Sequence, residues 1–215
     1  MNIHRALSDI AEIRAQLDRT ETYRGFRSSA VGVSVLVLLF GAWLETKWVV
    51  DATQQVDSYF GIWFSVAALS AVIATVEMLV RSRVSGNPVV GKMHWALAIR
   101  IAPSFLVGFV LTLLIGLHAH EQASAGSGGG LIWAMPGIWA MIYSLGLFNC
   151  RQHLPTQATG VAIFLLFAGV ILLVFNWMTR EVGGWQMLVS FGTGQAYLAI
   201  VLYWNLERHS GSEEE

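Results

Sequence analysis

Apolar residues gather into six long runs separated by short charged or glycine-rich segments. They extend from about Ser29 to Val49, Ser58 to Val80, His94 to Leu117, Leu131 to Asn149, Thr156 to Met178 and Trp185 to Leu206. The runs are solid rather than alternating. Roughly 20 apolar residues carry a helix across the hydrocarbon core, whereas barrel strands alternate over about ten residues. The pattern therefore predicts six transmembrane helices. Ahead of them Ile3, Leu7, Ile10, Ile13 and Leu17 recur every three or four residues, with Asp9, Glu12, Arg14, Asp18 and Arg19 between, which is one apolar stripe on a helix. The expected architecture is an all-α polytopic membrane protein. Residues 29–206 form a six-transmembrane-helix bundle, residues 1–28 a cytoplasmic amphipathic helix, and residues 207–215 an acidic cytoplasmic tail. The N-terminal helix would lie on the membrane or the bundle, or offer a seam for dimerisation or for a cytosolic protein partner. Its mixed charge tips the reading toward protein contact.

Composition agrees: 55% of the chain is hydrophobic and 13% charged, against about 25% charged in soluble domains. Six helices leave no room for a soluble catalytic domain. The first apolar run is a full span behind a charged segment, unlike a cleavable signal peptide. The single cysteine, Cys150, excludes an internal disulfide and CxxC chemistry. A net charge of −1 gives no reason to expect a nucleic-acid partner.

The distribution of charge says more. Six spans put Arg5, Arg14, Arg19, Arg24, Arg27, Arg81, Arg83, Lys92, Arg151 and Arg208 on one side and only Lys47 and Arg180 on the other. That bias predicts cytoplasmic termini. The outer side carries Glu45, Asp51, Asp57, Glu121 and Glu181, with Trp43, Trp48, Trp63, Trp133, Trp177 and Trp185 near the outer helix ends. The tryptophans read as an anchoring belt or as a vestibule that attracts organic cations.

Arg100 interrupts the third run and starts a file of small or polar residues at every fourth position: Ser104, Gly108, Thr112 and Gly116. A guanidinium stays charged, so lipid contact at mid-membrane costs roughly 3 kcal/mol on insertion scales and roughly 10 or more in simulations. Glu77 falls at a similar depth across the inner loop, so a Glu77–Arg100 pair is one expectation. Snorkelling of Arg100 to the headgroups, with Glu77 paired to Arg81, is the other. The file itself either packs against a helix or lines a wet path, and Gln195, in the polar middle of the sixth run, needs a partner from Arg100 or the file. Pro103 predicts a bend near Arg100.

His118, His120 and Glu121 form an HxHE cluster. It would chelate a divalent metal only if the helix ended there, because residues two apart lie on different faces. His94, Cys150 and His153 all fall at inner helix ends and are a weaker metal or haem set. The glycine-rich loop HAHEQASAGSGGG, from His118 to Gly130, lacks a preceding strand and a Lys-Ser/Thr ending, so it reads as a flexible linker, not a phosphate loop. No GxSxG, HExxH, Walker or DxD signature is present, and the sequence requires no cofactor.

The segments IRAQLDRTETYRGFR, EMLVRSRVSG, MPGIWAMIYSLGLFNCRQHLP and LYWNLER resemble a family of small bacterial multi-pass inner-membrane proteins with no assigned activity. The resemblance implies a bacterial inner-membrane location and transfers no functional residue. Three functional readings follow. The leading one is a small transporter or channel, working as a homo-oligomer, with a polar path around Arg100, Glu77 and Gln195, because intramembrane charge is by default functional. The second is a non-transporting sensor or assembly subunit that binds a partner through its N-terminal helix. The third is an intramembrane metal- or haem-dependent enzyme.

Overall fold

The computed structural model describes residues 28–85, 88–152 and 154–204. The amphipathic stripe Ile3–Leu17, the acidic tail and His153 lie outside the described residues, as do the side chains of Arg81, Lys92 and His94. The described chain is helical, with no strand in it. In order it contains α1 Ser28–Trp48, α2 Val56–Ser85, α3 Pro88–Ser124, a 3-10 turn Ile132–Ala134 leading into α4 Met135–Asn149, and α5 Ala158–Thr179. A last rod follows, made of α6 Gly184–Met187, a π-helical turn Leu188–Gly192 and α7 Thr193–Leu202. Four of these, α1, α2, α3 and α5, are long and apolar enough to cross a membrane, which makes this a helical membrane protein. The fourth and sixth predicted spans are present as helix but are shorter: α4 has 15 residues, and the last rod is divided by its π turn.

Local chemistry accounts for the boundaries. Pro88 opens α3 and Pro136 lies in the first turn of α4, where a missing N–H costs nothing. Helix α5 ends on Arg180 at φ 57°, a left-handed cap that turns the chain back toward the last rod. Pro103 lies inside α3, which runs on through it.

Each helix packs on the next, and α7 returns to pack on both α5 and α1, so the six segments close into a ring. We call the end where α1 begins and α7 finishes the lower end. The upper core joins Leu38, Ala42, Tyr59, Trp63, Ala119, Ile132, Met135 and Met187. The lower core joins Val31, Leu147, Val161, Leu165, Leu198 and Leu202 from α1, α4, α5 and α7. Helices α2 and α3 thus share the core mainly at the upper end. Their outer faces are apolar and exposed: Leu69, Val72 and Val76 on α2, Phe105, Phe109 and Leu113 on α3. In water such a surface would aggregate; in lipid it is the expected solvent-facing side.

The glycine-rich loop is not the free linker that its composition suggests. Gly126, Gly128 and Gly130 all take positive φ, and a Cβ at Gly129 would come within 2.9 Å of the Thr53 backbone. Glycine is needed because the loop seats directly on the α1–α2 connection.

Candidate functional site

The file above Arg100 is filled by α4. Thr112 is buried and its Oγ accepts the indole N–H of Trp139 at 2.7 Å while donating to Gly108 O at 2.6 Å. Ser104 Oγ accepts from Asn149 Nδ2 at 3.3 Å. A Cβ on Gly108 would meet Ile142 at 3.1 Å, and one on Gly116 would meet Phe60 of α2 at 3.4 Å. Small residues here let two helices approach closely, and each polar atom spends its hydrogen bond on the neighbouring helix or its own. Of the two expectations for the file, helix packing is the one this geometry matches.

Arg100 does not join that seam. It is exposed, and its Nη1 donates to Gln152 Oε1 at 3.0 Å, in the loop just beyond α4. The expected Glu77–Arg100 pair is not among the contacts of the described residues. Glu77 accepts from Ser29 Oγ of α1 at 3.3 Å. Arg100 thus lies level with the loop that follows α4 rather than with the middle of that helix, and a guanidinium near a helix end avoids much of the mid-membrane penalty that marked it in the sequence.

The histidine cluster is also rearranged. Helix α3 continues through Ser124, so the condition for an HxHE chelate is not met, and His118 and His120 stay on different faces. His120 Nδ1 lies 3.0 Å from Asp57 Oδ1 of α2, both well exposed. His118 lies against Gly130. No group of three metal-ligating side chains occurs among the described residues. Cys150 is buried with Sγ 4.0 Å from Leu97 O. Burial pushes its thiol above the ordinary range, with the nearby Arg100 guanidinium only partly opposing, so it is a poor nucleophile or thiolate ligand. Gln195 has no partner for its buried Oε1, neither Arg100 nor the file.

The strongest buried polar cluster was not singled out by sequence. Glu45, 5% exposed, accepts the Trp63 indole N–H at 2.7 Å. The Gly184 amide faces the same carboxylate, and a Cβ on Gly184 would lie 3.1 Å from Glu45 Oε2 and 3.2 Å from Ala42 Cα. Gly183 supplies no side-chain cap to the last rod. Glu45 takes that place from another helix, with its carboxyl oxygens at the positive end of the rod. A few residues on, Gln186 and Asn176 exchange amide hydrogen bonds: Gln186 Nε2 donates to Asn176 Oδ1 at 2.9 Å, and Asn176 Nδ2 donates to Gln186 Oε1 at 3.2 Å and to Trp133 O at 2.7 Å. All three side chains are buried. These contacts fix the last rod to α1, α5 and the turn before α4.

A sequence signal for Glu45 existed. Ser34, Leu38, Gly41, Ala42 and Glu45 recur at helical spacing and all are buried, so the acid lies on the packed stripe of α1. Counting it as an outer-surface charge missed that register. Asn176 was likewise visible as a lone amide near the end of an apolar span.

The outer tryptophans divide. Trp43, Trp48, Trp177 and Trp185 are exposed and suit an anchoring belt, while Trp63 and Trp133 are buried. No open aromatic vestibule results, because Arg180 Cζ lies 4.8 Å from the Trp133 ring centre and 5.1 Å from that of Trp177. The protein's own cation covers those rings. No family model, curated protein or solved structure matches the chain.

Proposed function

We propose that the protein is a non-transporting bacterial inner-membrane subunit of six spans, with cytoplasmic termini and an N-terminal helix that binds a cytosolic protein. The observation that carries this reading is the closure of the Arg100 file by Trp139, Ile142 and Asn149. A bundle whose polar stripe is spent on helix contact is suited to hold a position rather than conduct. Six spans are supported by length, since the 3-10 turn and α4 form one helical stretch over 132–149 and the last rod extends over 184–202. At 1.5 Å or more per residue, each approaches the roughly 30 Å of a bilayer core. With six spans, ten basic residues fall in the termini and loops of one side of the sequence against two on the other, which supports the orientation.

One observation favours transport. The π turn Leu188–Gly192 lies next to Gln195, whose Oε1 has no partner, and such turns often mark functional sites. Flux separates the two readings. Purified protein in liposomes is expected to release potassium and carboxyfluorescein no faster than empty liposomes do. Deleting residues 2–20 is expected to release a soluble protein that co-purifies with the full chain while leaving the bundle in the membrane. Flux that Arg100→Ala or Glu77→Gln abolishes would restore the transporter reading.

A further inference from the structure

We infer that Arg100, Arg151 and Gln152 form a binding site for the phosphate of an anionic phospholipid at the lower membrane surface. This rests on reading the protein as a membrane bundle whose lower end lies at the headgroups. One contact sets the depth of the site: Arg100 reaches Gln152 in the loop past the end of α4. On that reading the guanidinium stands at the edge of the hydrocarbon, where lipid phosphates lie.

Among the described residues no carboxylate offsets the charge of the site. Asp and Glu are absent from Asn87 to His120 and again from Gln122 to Arg180, so α4, the loop after it and α3 as far as His120 carry no carboxylate. Among the described residues no acid pairs with Arg100 or with Arg151, the next residue along the backbone from Gln152. Both arginines and Gln152 are exposed. Gln152 Oε1 is used as acceptor for Arg100, which orients the guanidinium fork and leaves the Gln152 amide N–H groups as further donors. Two guanidinium groups and a primary amide offer the geometry that a phosphodiester accepts, including bidentate contact from Arg. A zwitterionic lipid presents the same phosphate with a cation attached, so a patch of two arginines favours an anionic headgroup.

The test uses the full chain in detergent, with native mass spectrometry of mixtures of phosphatidylglycerol and phosphatidylcholine. The wild type is expected to retain phosphatidylglycerol preferentially, by about fivefold for each guanidinium if each contributes as basic residues do at anionic surfaces. Arg100→Ala with Arg151→Ala should bring the two lipids to parity. Arg151→Ala alone, on an exposed loop where folding is not at stake, should remove about fivefold. Inorganic phosphate in the buffer should not displace the lipid. Equal retention of both lipids by the wild type, an unchanged preference in both variants, or displacement by inorganic phosphate would each overturn the site. Washing membranes with alkaline carbonate tests the underlying reading separately: a chain released by the wash is not a membrane bundle, whereas a retained chain without headgroup preference refutes the lipid site alone.

Discussion

Valine at Gly169 is expected to stop α4 and α5 from closing on each other and to leave little folded protein. A Cβ at Gly169 would lie 2.8 Å from the Gly137 carbonyl oxygen and 2.6 Å from Met141 Cγ. A Cβ at Gly137 would lie 2.7 Å from the Gly169 carbonyl oxygen. The two helices thus meet backbone to backbone, and a carbonyl cannot rotate aside as a side chain can. Overpacking costs about 1–3 kcal/mol and occasionally more, and here relief requires moving whole helices. The buried Cys150 provides the readout, because a thiol-reactive dye reports its exposure on heating. The Gly169→Val protein should react at far lower temperature than wild type, or fail to purify as a single species. Gly32→Val, where nothing lies within 4 Å of an added Cβ, should behave as wild type. Equal melting of both variants would remove the close α4–α5 contact from the account.

The second large effect is expected at the amide pair. Asn176→Leu leaves Gln186 Oε1 and the Trp133 carbonyl without their donor and strips Gln186 Nε2 of its Asn176 acceptor. Unsatisfied buried groups cost about 1–3 kcal/mol each, although hydrogen bonds inside membrane proteins average nearer 0.6 kcal/mol in double-mutant cycles. Gln186 and Asn176 are both fully buried, so the loss should total about 2–4 kcal/mol. Replacing both partners, Asn176→Leu with Gln186→Leu, should recover part of it, since removing the two together strands fewer polar groups. A double variant as unstable as the sum of the singles would show that the two amides act independently.

The class of the fold is legible in the sequence because bilayer thickness dictates the length of apolar runs. Four of the six expected spans recur as long apolar helices, and the boundaries of α1, expected from Ser29 to Val49, agree to a residue at Ser28–Trp48. Lengths are less legible where polar residues follow an apolar run. Helix α3 continues seven residues past Leu117, through His118, His120 and Glu121 to Ser124, because ordinary helix formers extend a helix into the interface. That extension undoes the metal chelate.

Site chemistry was legible only in part, and depth explains why. Arg100 is anomalous in the sequence because hydropathy places it inside a run, whereas its contact with Gln152 puts it level with the loop beyond α4. Which neighbour fills a small-residue stripe depends on helix rotation, and periodicity does not give the partner. Glu45 presents the reverse case: its position in the sequence suggests the surface, and its register on α1 buries it against Trp63 and Gly184.

The central claim is that the α3 file is a closed helix seam rather than a water path, and cysteine accessibility tests it most directly. In a Cys150→Ser background, Thr112→Cys on the file and Ser124→Cys at the exposed end of α3 would be treated in native membranes with a membrane-impermeant thiol reagent. The account predicts rapid modification at position 124 and none at 112, where the side chain is packed against Trp139 of α4. Modification of Thr112→Cys at a rate comparable to that of Ser124→Cys, in protein that remains folded, would contradict it.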